Sequence, residues 1–336
     1  MLHFLTKESG KNMIDLKTNY LGLELNNPLI VGSCGLTKNA DKMYECQKAG
    51  AGAVVVKSLF EEALALEQIK LSEALEDHPE AYDYKYANIE KMYGSEQYCE
   101  IIREAKRKLN IPVIASLNCI SEKWWKNYAK QVEEAGADAI ELNIYTTVYN
   151  EAVSASEVEY NYLRIAESVR KSVDIPVAIK ISKYITAFPN LAFLLEKRGI
   201  NGLVMFNKFV EPDIDISKME LRSVFNFSKP EDFRVTLRWI GILSGERDID
   251  LCASTGIFDA EDAIKVLLAG GKSFQVVSAI YNNGLSHIRV ILDGITEWMK
   301  KNNYSSIEEF RGKLSFKSSE LNNQFLRAQF IEKTDI

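Results

Sequence analysis

Eight short apolar runs recur along the chain, each followed by a stretch of helical periodicity, and this alternation limits the fold more than any other feature. The runs are PLIVGS (28–33), AVVVKS (53–58), PVIASLN (112–118), AIELNIY (139–145), PVAIKIS (176–182), GLVMFN (202–207), DLCASTG (250–256) and SFQVVSAIY (273–281). Each is nearly uniformly apolar and rich in Val and Ile, as expected of parallel strands covered on both faces. The helices between them carry boundary signals. In SEKWWKNYAKQVEEAGA, Ser121 is placed to cap the start and Gly136 to end the helix. FDAEDAIKVLLAGG sets Asp259 near its start and Gly270 at its end. A helix-to-strand phrase also repeats, as KAGAGAVVVK, EAGADAIELN, KRGINGLVMF and LAGGKSFQVV. Each ends a helix on glycine, turns tightly and enters the next run.

Eight strand–helix units predict an α/β fold, a closed (β/α)8 TIM barrel, rather than an open sheet. A doubly wound sheet is the alternative; it would more typically show G-x-G-x-x-G after its first strand, which this chain lacks there. A chain of 336 residues could hold two domains, yet barrels of this length commonly form one. Met13 opens MIDLKTNYLGLELNNPLIV, so the barrel is expected over 13–315, with 1–12 as a loose extension and 316–336 as a tail. A short capping helix is the alternative for 1–12. Two connections, at about 59–95 and 208–229, are too long for plain loops and are expected to form lids or specificity elements at the C-terminal face. Surface excursions or an oligomer contact are the other reading.

A formal net charge of −6 gives no electrostatic reason to expect nucleic acid or anionic lipid as a partner. No apolar stretch approaches the ~20 residues of a membrane helix, and MLHFLTKESGKN lacks the core of a secretory signal. A cytoplasmic protein without a membrane partner is expected. The five cysteines (Cys34, Cys46, Cys99, Cys119 and Cys252) are widely spaced and never form C-x-x-C. That pattern argues against a disulfide framework, a zinc site and an iron–sulfur cluster. Only three histidines occur (His3, His78, His287), too few to favour a histidine-centred catalytic or metal site.

Reacting groups in such barrels sit at strand C-termini. The polar residues there are Ser33, Lys57-Ser58, Asn118, Asn143, Lys180, Asn207-Lys208, Ser254-Thr255-Gly256 and Ser278-Ala279. Lysine is rarely fully buried without a partner, and a single one could be a core ion pair. Two, ringed by amides, point to a polar, electron-rich ligand. Only Glu141 places a carboxylate inside a strand, so metal hydrolysis and glycoside hydrolysis find little support. Thr255-Gly256 and Ser278-Ala279 follow strands seven and eight, where barrels often bind phosphate, although small residues there also serve packing. With the lysines, they suggest a phosphorylated cofactor or substrate.

As an ordered set, NNPLIVGSCGLT, AGAGAVVVKS, PVIASLN, GADAIELN, IPVAIKIS, STGIFDAEDAIKVLLAGGKSFQVVSAIY and YSSIEEFRGKLS make the chain resemble the dihydroorotate dehydrogenases, over about 13–314. The resemblance is to the soluble, class 1-like branch, in which dimers are common. It implies FMN at the barrel mouth, with Ser33, Lys57 and Ser58 at the ring and Asn118 and Asn143 close by. It implies Lys180 beside the flavin N1–C2 edge, where a cation favours the anionic reduced cofactor. It implies Thr255, Gly256, Ser278 and Ala279 at the phosphate, although the family has Gly-Gly at Thr255-Gly256 and Gly-Thr at Val277-Ser278.

The substrate side departs further. Family members follow the strand-four asparagine with Ser-Cys-Pro-Asn or a serine variant, whose Cys or Ser takes the proton from dihydroorotate. Here the text is Asn143-Ile144-Tyr145-Thr146-Thr147-Val148, so Thr146 falls at the base position and Val148 replaces the second asparagine. The family's M-G-x-x-N stretch gives way to YDYKYANIEKMYGSEQY, whose Tyr82, Tyr84 and Tyr86 could line a remodelled pocket with Tyr145 and Tyr149. Of the substrate amides, Asn143 and Asn207 survive.

The leading expectation is an FMN-dependent oxidoreductase acting on a CH–CH bond, resembling dihydroorotate oxidation in pyrimidine biosynthesis. Thr146, Lys57 and Lys180 would be its catalytic set, with a small-molecule substrate and an electron acceptor that the sequence does not identify. One alternative is a flavin-binding redox protein with another substrate or no turnover of its own. Another is a Schiff-base lyase using Lys57 or Lys180.

Overall fold

A computed structural model describes residues 14–60, 95–119, 122–145, 147–208, 211–224, 227–245, 247–318 and 325–326. Its first elements lie outside the ring that the apolar runs predict. Strands β1 (Thr18–Tyr20) and β2 (Leu23–Leu25) pair antiparallel across Leu21-Gly22. Both turn residues have positive φ, 57° and 74°, the type I′ geometry whose twist suits a two-residue hairpin. Leucine is unusual there; its N–H donates to the Asp250 carboxylate at 2.7 Å.

The eight runs then form eight parallel staves: β3 (Leu29–Val31), β4 (Ala53–Val55), β6 (Val113–Asn118), β7 (Ala139–Asn143), β8 (Val177–Ile181), β9 (Gly202–Met205), β12 (Asp250–Ala253) and β13 (Ser273–Val276). Each pairs with its neighbours in that order; β13 returns to β3, and β4 pairs with β6, so the sheet closes. A two-residue strand, β5 (Leu59–Phe60), lies along the far end of β6. Helices α1 (Ala40–Ala49), α2 (Ser95–Lys108), α3 (Glu122–Glu134), α4 (Ala155–Arg170), α5 (Phe188–Lys197), α6 (Phe233–Leu243), α7 (Ala260–Ala269), α8 (Ser278–Asn283) and α9 (His287–Lys301) fill the connections. The fold is therefore the expected (β/α)8 barrel. Glycine and Asx signals mark helix ends where the sequence places them: Asp259 Oδ1 accepts from the Asp262 N–H at 3.0 Å, and Gly270 leaves α7 at φ 109°. Ser121 lies outside the described residues.

Side-chain parity divides the core into two shells. Leu29, Val31, Val54, Val113, Ile140 and Phe274 point outward and pack under the helices. Ile30, Val55, Ile114, Ala178, Val204 and Cys252 point inward and cluster with Tyr20, Leu21 and Leu25 of the hairpin. The β1–β2 hairpin thus plugs the barrel where the strands begin. At Gly202, the first residue of β9, an added Cβ would lie 2.5 Å from Leu21 Cδ2, so only glycine admits the plug so closely. Leu25 is fully buried in this shell. Leu25→Ala is expected to cost about 3 kcal/mol, within the usual range for a buried leucine, and urea unfolding would measure it. A midpoint equal to the parent's would show that the plug carries little of the stability.

Some runs predict longer strands than the chain forms. The eighth predicts a strand that closes at Ser278-Ala279, whereas β13 stops at Val276 and α8 starts at Ser278. Its partner β3 ends at Val31, and the last bond runs from Gly32 N–H to Val276 O at 3.3 Å. Where the pairing with β3 ends, the chain turns into α8, which buries Ala279 and Ile280 and leaves Tyr281 at the surface. The seventh run likewise ends as a strand at Ala253, before Ser254-Thr255-Gly256, whereas the fourth ends at Asn143 where the sequence places it.

Residues 61–94 of the first long connection lie outside the described residues, as do 1–13. The second long connection holds an antiparallel hairpin, β10 (Glu211–Asp215) and β11 (Glu220–Val224), tied by an Arg222–Asp213 ion pair at 2.5 Å. Near the C-terminus, the Phe316 N–H donates to Gly241 O at 2.9 Å, and the Phe325 ring lies against Gly241 of α6. Among the described residues, no helix is long and apolar enough to cross a membrane.

Candidate active site at the barrel mouth

Moving along the strands from the plug, the inward-facing positions change from apolar to polar. Ile114 gives way to Ser116 on β6, Ala139 to Glu141 and Asn143 on β7, and Ala178 to Lys180 on β8. Register aligns Asn143 with Lys180 and Glu141 with Ser116. Hydrophobic burial therefore holds one end of the barrel shut, while polar groups gather at the C-terminal ends of the strands. A cavity of about 520 Å³ opens there, a size usual for small-molecule sites. Ser33, Lys57, Ser58, Asn143, Lys180, Asn207, Thr255, Gly256 and Ser278 all line it. Asn118 ends β6 beside Phe60, and Ala279 is buried in α8; neither is part of the described lining.

The cavity floor is one hydrogen-bonded network. Lys180 Nζ donates to Gln275 Oε1 at 2.7 Å and lies 3.6 Å from Glu141 Oε1. The Gln275 amide NH2 donates to Glu141 Oε2. Glu141 is 1% exposed, and its Oε1 has no hydrogen-bond donor. Above this layer, Asn207 Nδ2 donates to Asn143 Oδ1 at 2.5 Å. A serine ladder stitches the first three staves: Ser33 Oγ to Ser58 Oγ at 2.9 Å, then Ser58 Oγ to Ser116 Oγ at 2.8 Å. The buried Tyr98 hydroxyl closes it, bonding both the N–H and the carbonyl of Ser116 at 2.9 Å. Lys57 is exposed, with no ion-pair partner among the described residues.

One end of the cavity is rich in donors. Thr255 and Gly256 both take positive φ, 76° and 84°, and the N–H groups of Thr255, Gly256 and Ile257 donate to no described residue. A Cβ on Gly256 would lie 2.4 Å from the Phe233 backbone nitrogen, so this turn admits only glycine. Across the turn, the Ser228 N–H and hydroxyl both bond Ser278 Oγ, at 3.0 and 2.9 Å. Phe227 stacks on Tyr281 at the rim with ring centroids 5.2 Å apart.

Cys34 also lines the cavity. Burial pushes its thiol above the usual cysteine range, and burial does the same for the Tyr281 hydroxyl beside it. A group whose pKa is raised keeps its proton through neutral pH, so neither serves as a ready base. Cys34 is accordingly expected to label with iodoacetamide at pH 7 more slowly than a free cysteine and to react faster as the pH rises, read by mass spectrometry of labelled peptides. Rapid labelling at pH 7 would contradict this.

Thr146 lies outside the described residues, as do Tyr82, Tyr84 and Tyr86. Of its neighbours, Tyr145 is 44% exposed, and Thr147 Oγ1 donates to the Tyr145 hydroxyl at 2.6 Å. Both line a second cavity of about 430 Å³, with Tyr162, Ser182 and Tyr184. Tyr149 points almost wholly to solvent and lines neither cavity. Gln275, Ser116, Tyr98, Ser228 and Tyr281 go unread in the sequence. Gln275 was open to discovery, being polar and two residues from Ser273 in an otherwise apolar stave. The others join the site through contacts that no local pattern announces.

The family model described as dihydroorotate dehydrogenase matches residues 79–299. Among curated proteins, "Dihydroorotate dehydrogenase B (NAD(+)), catalytic subunit" of Pyrococcus abyssi is 28% identical over 305 residues, covering 88% of this chain and 98% of the relative. The protein of the same description from Methanocaldococcus jannaschii is 26% identical over 319 residues, covering 88% and 97%. That from Thermoplasma acidophilum is 27% identical over 306 residues, covering 89% and 99%. A closed barrel, a polar mouth where its strands end, and a family match over more than half of the sequence converge: the chain belongs to the dihydroorotate dehydrogenase family of oxidoreductases.

Proposed function

We propose that the chain is an FMN-dependent oxidoreductase acting on a CH–CH bond of a small polar substrate, with dihydroorotate as the first candidate. One observation carries the reading: a single cavity joins a lysine- and amide-lined floor to an end where the N–H groups of Thr255, Gly256 and Ile257 donate to no described residue and the Ser278 hydroxyl stands close by. That donor set fits FMN, whose ring needs hydrogen bonds and a nearby cation and whose phosphate needs N–H and O–H donors. Bound flavin would supply the hydride acceptor; the residues below bind, orient and handle protons.

Ser33, Lys57, Ser58 and Lys180 are the ring-binding set, with Asn118 behind them on β6. Lys57 and Lys180 supply the positive charge that favours electron transfer to the ring. Thr255 and Gly256 bind the phosphate with Ser278, and Ala279 packs the start of α8 behind it. Asn143 and Asn207, already bonded to one another, turn their remaining amide groups to the substrate. Thr146 takes the base position by its place between Tyr145 and Thr147. The relatives are described as catalytic subunits, which supports a partner subunit as electron acceptor for this chain too. The barrel is assigned to 13–315, between a short extension and a tail, and a homodimer in the cytoplasm is the working assembly.

A second reading, a flavoprotein with another substrate or none of its own, draws on Tyr145 and Thr147, whose hydroxyls bond each other beside the base position. An anaerobic absorbance spectrum before and after adding dihydroorotate separates the two. Rapid bleaching of the flavin bands supports dihydroorotate; a spectrum that stays oxidised leaves the second reading.

A further inference from the structure

We propose that Glu141 is a positioning residue for the redox site: acting through Gln275 and Lys180, it sets how much positive charge a bound flavin meets. The inference rests on the FMN reading above. Its starting point is the cost of the arrangement. Glu141 is almost wholly buried, and Ala139, two residues before it on the same face of β7, belongs to the inner apolar shell. Burying an ion pair commonly gives no more stability than apolar residues of the same volume would. Stability alone therefore gives no reason for a carboxylate at this depth.

The geometry supplies another reason. A lysine ammonium is a compact charge on a flexible four-carbon stem and has to be held to act at one place. Lys180 is held from two sides, by the Gln275 carbonyl oxygen at 2.7 Å and by the Glu141 carboxylate at 3.6 Å. Because Gln275 accepts from a lysine, which has only donors, its NH2 must face Glu141; the network fixes the amide orientation. Gly32 makes room for this, since a Cβ there would come within 3.2 Å of Gln275 Oε1. Lys180 then keeps N–H capacity for the cavity that it lines, with a negative charge directly behind it. Charges separated by a few ångströms in a protein interior couple far more strongly than in water. A ligand at the mouth thus meets a lysine whose field is partly cancelled.

The test uses the FMN-loaded protein and reads the midpoint potential of the flavin. Glu141→Gln keeps the shape and removes the negative charge. It is expected to favour the reduced cofactor by about tenfold, a rise of about 30 mV for a two-electron couple. Gln275→Glu adds a negative charge in the same network and is expected to lower the midpoint. Glu141→Asp keeps the charge and returns the midpoint towards that of the parent. A Glu141→Gln midpoint that is unchanged or lowered overturns the inference. If that variant fails to accumulate, Gln275→Glu decides it alone, with an unchanged or raised midpoint counting against it. A parent protein that holds no FMN overturns the FMN reading and this inference together. A parent that holds FMN, with variants at its midpoint, overturns this inference alone.

Discussion

Lys180→Met is expected to cost the barrel about 3–5 kcal/mol of stability, the usual consequence of removing one member of a buried ion pair. The size follows from what remains. Glu141 is 1% exposed, and Lys180 is the cation within 4 Å of it among the described residues. Gln275 would still donate to Glu141 but would lose the lysine for which its own oxygen is placed. Removing both charges gives a sharper result. Lys180→Met/Glu141→Leu replaces the pair with apolar residues above an apolar shell and is expected to recover most of the loss. Urea unfolding of the parent, both single variants and the double variant measures the coupling without any cofactor. A Lys180→Met variant as stable as the parent would mean that Glu141 finds a partner outside the described residues.

Ser278→Asp is expected to weaken FMN binding about a hundredfold, or about 2.8 kcal/mol at 1.4 kcal/mol per decade. A carboxylate at this position would face the ligand phosphate where the serine now accepts from the Ser228 N–H and hydroxyl. Riboflavin, which has the same ring and no phosphate, is the control, and its affinity is expected to change little. Flavin fluorescence quenching follows both titrations. Equal losses for FMN and riboflavin would place the phosphate elsewhere and leave Ser278 with a packing role. Unchanged FMN affinity would remove this end of the cavity from the phosphate site altogether.

The fold was readable because parallel strands covered on both faces are apolar on both parities, and runs such as AVVVKS and PVAIKIS have no other economical use. The plug was harder to read. TNYLGLEL is short, and its turn places Leu21 rather than Asn or Asp at positive φ, so the usual hairpin signal is missing. Its position depends on the fit of Leu21 against Gly202, a contact that local pattern does not carry. The strand ends show the same limit. Val277 to Tyr281 are as apolar as the stave before them, yet the strand gives way to a helix where its partner β3 ends.

At the mouth, residue type and strand-end position together pick out Lys57, Asn143, Lys180 and Asn207, all of which line the cavity. Partnership was not readable in the same way. Glu141 and Gln275 are 134 residues apart, and Lys180 and Gln275 are 95 apart, so their contacts exist only once the ring is closed. The Ser33–Ser58–Ser116 ladder likewise joins three different staves. Sequence periodicity assigns side chains to faces; ring closure decides which of them meet.

Whether the cavity at the barrel mouth takes FMN is decided by titrating the cofactor-free protein with FMN, followed by absorbance and calorimetry. One FMN bound per chain is expected, with the resolved visible bands of a protein-bound flavin. Heat-free mixing and a spectrum identical to free FMN would contradict it, and would leave the lysines at the mouth to be explained by the Schiff-base reading.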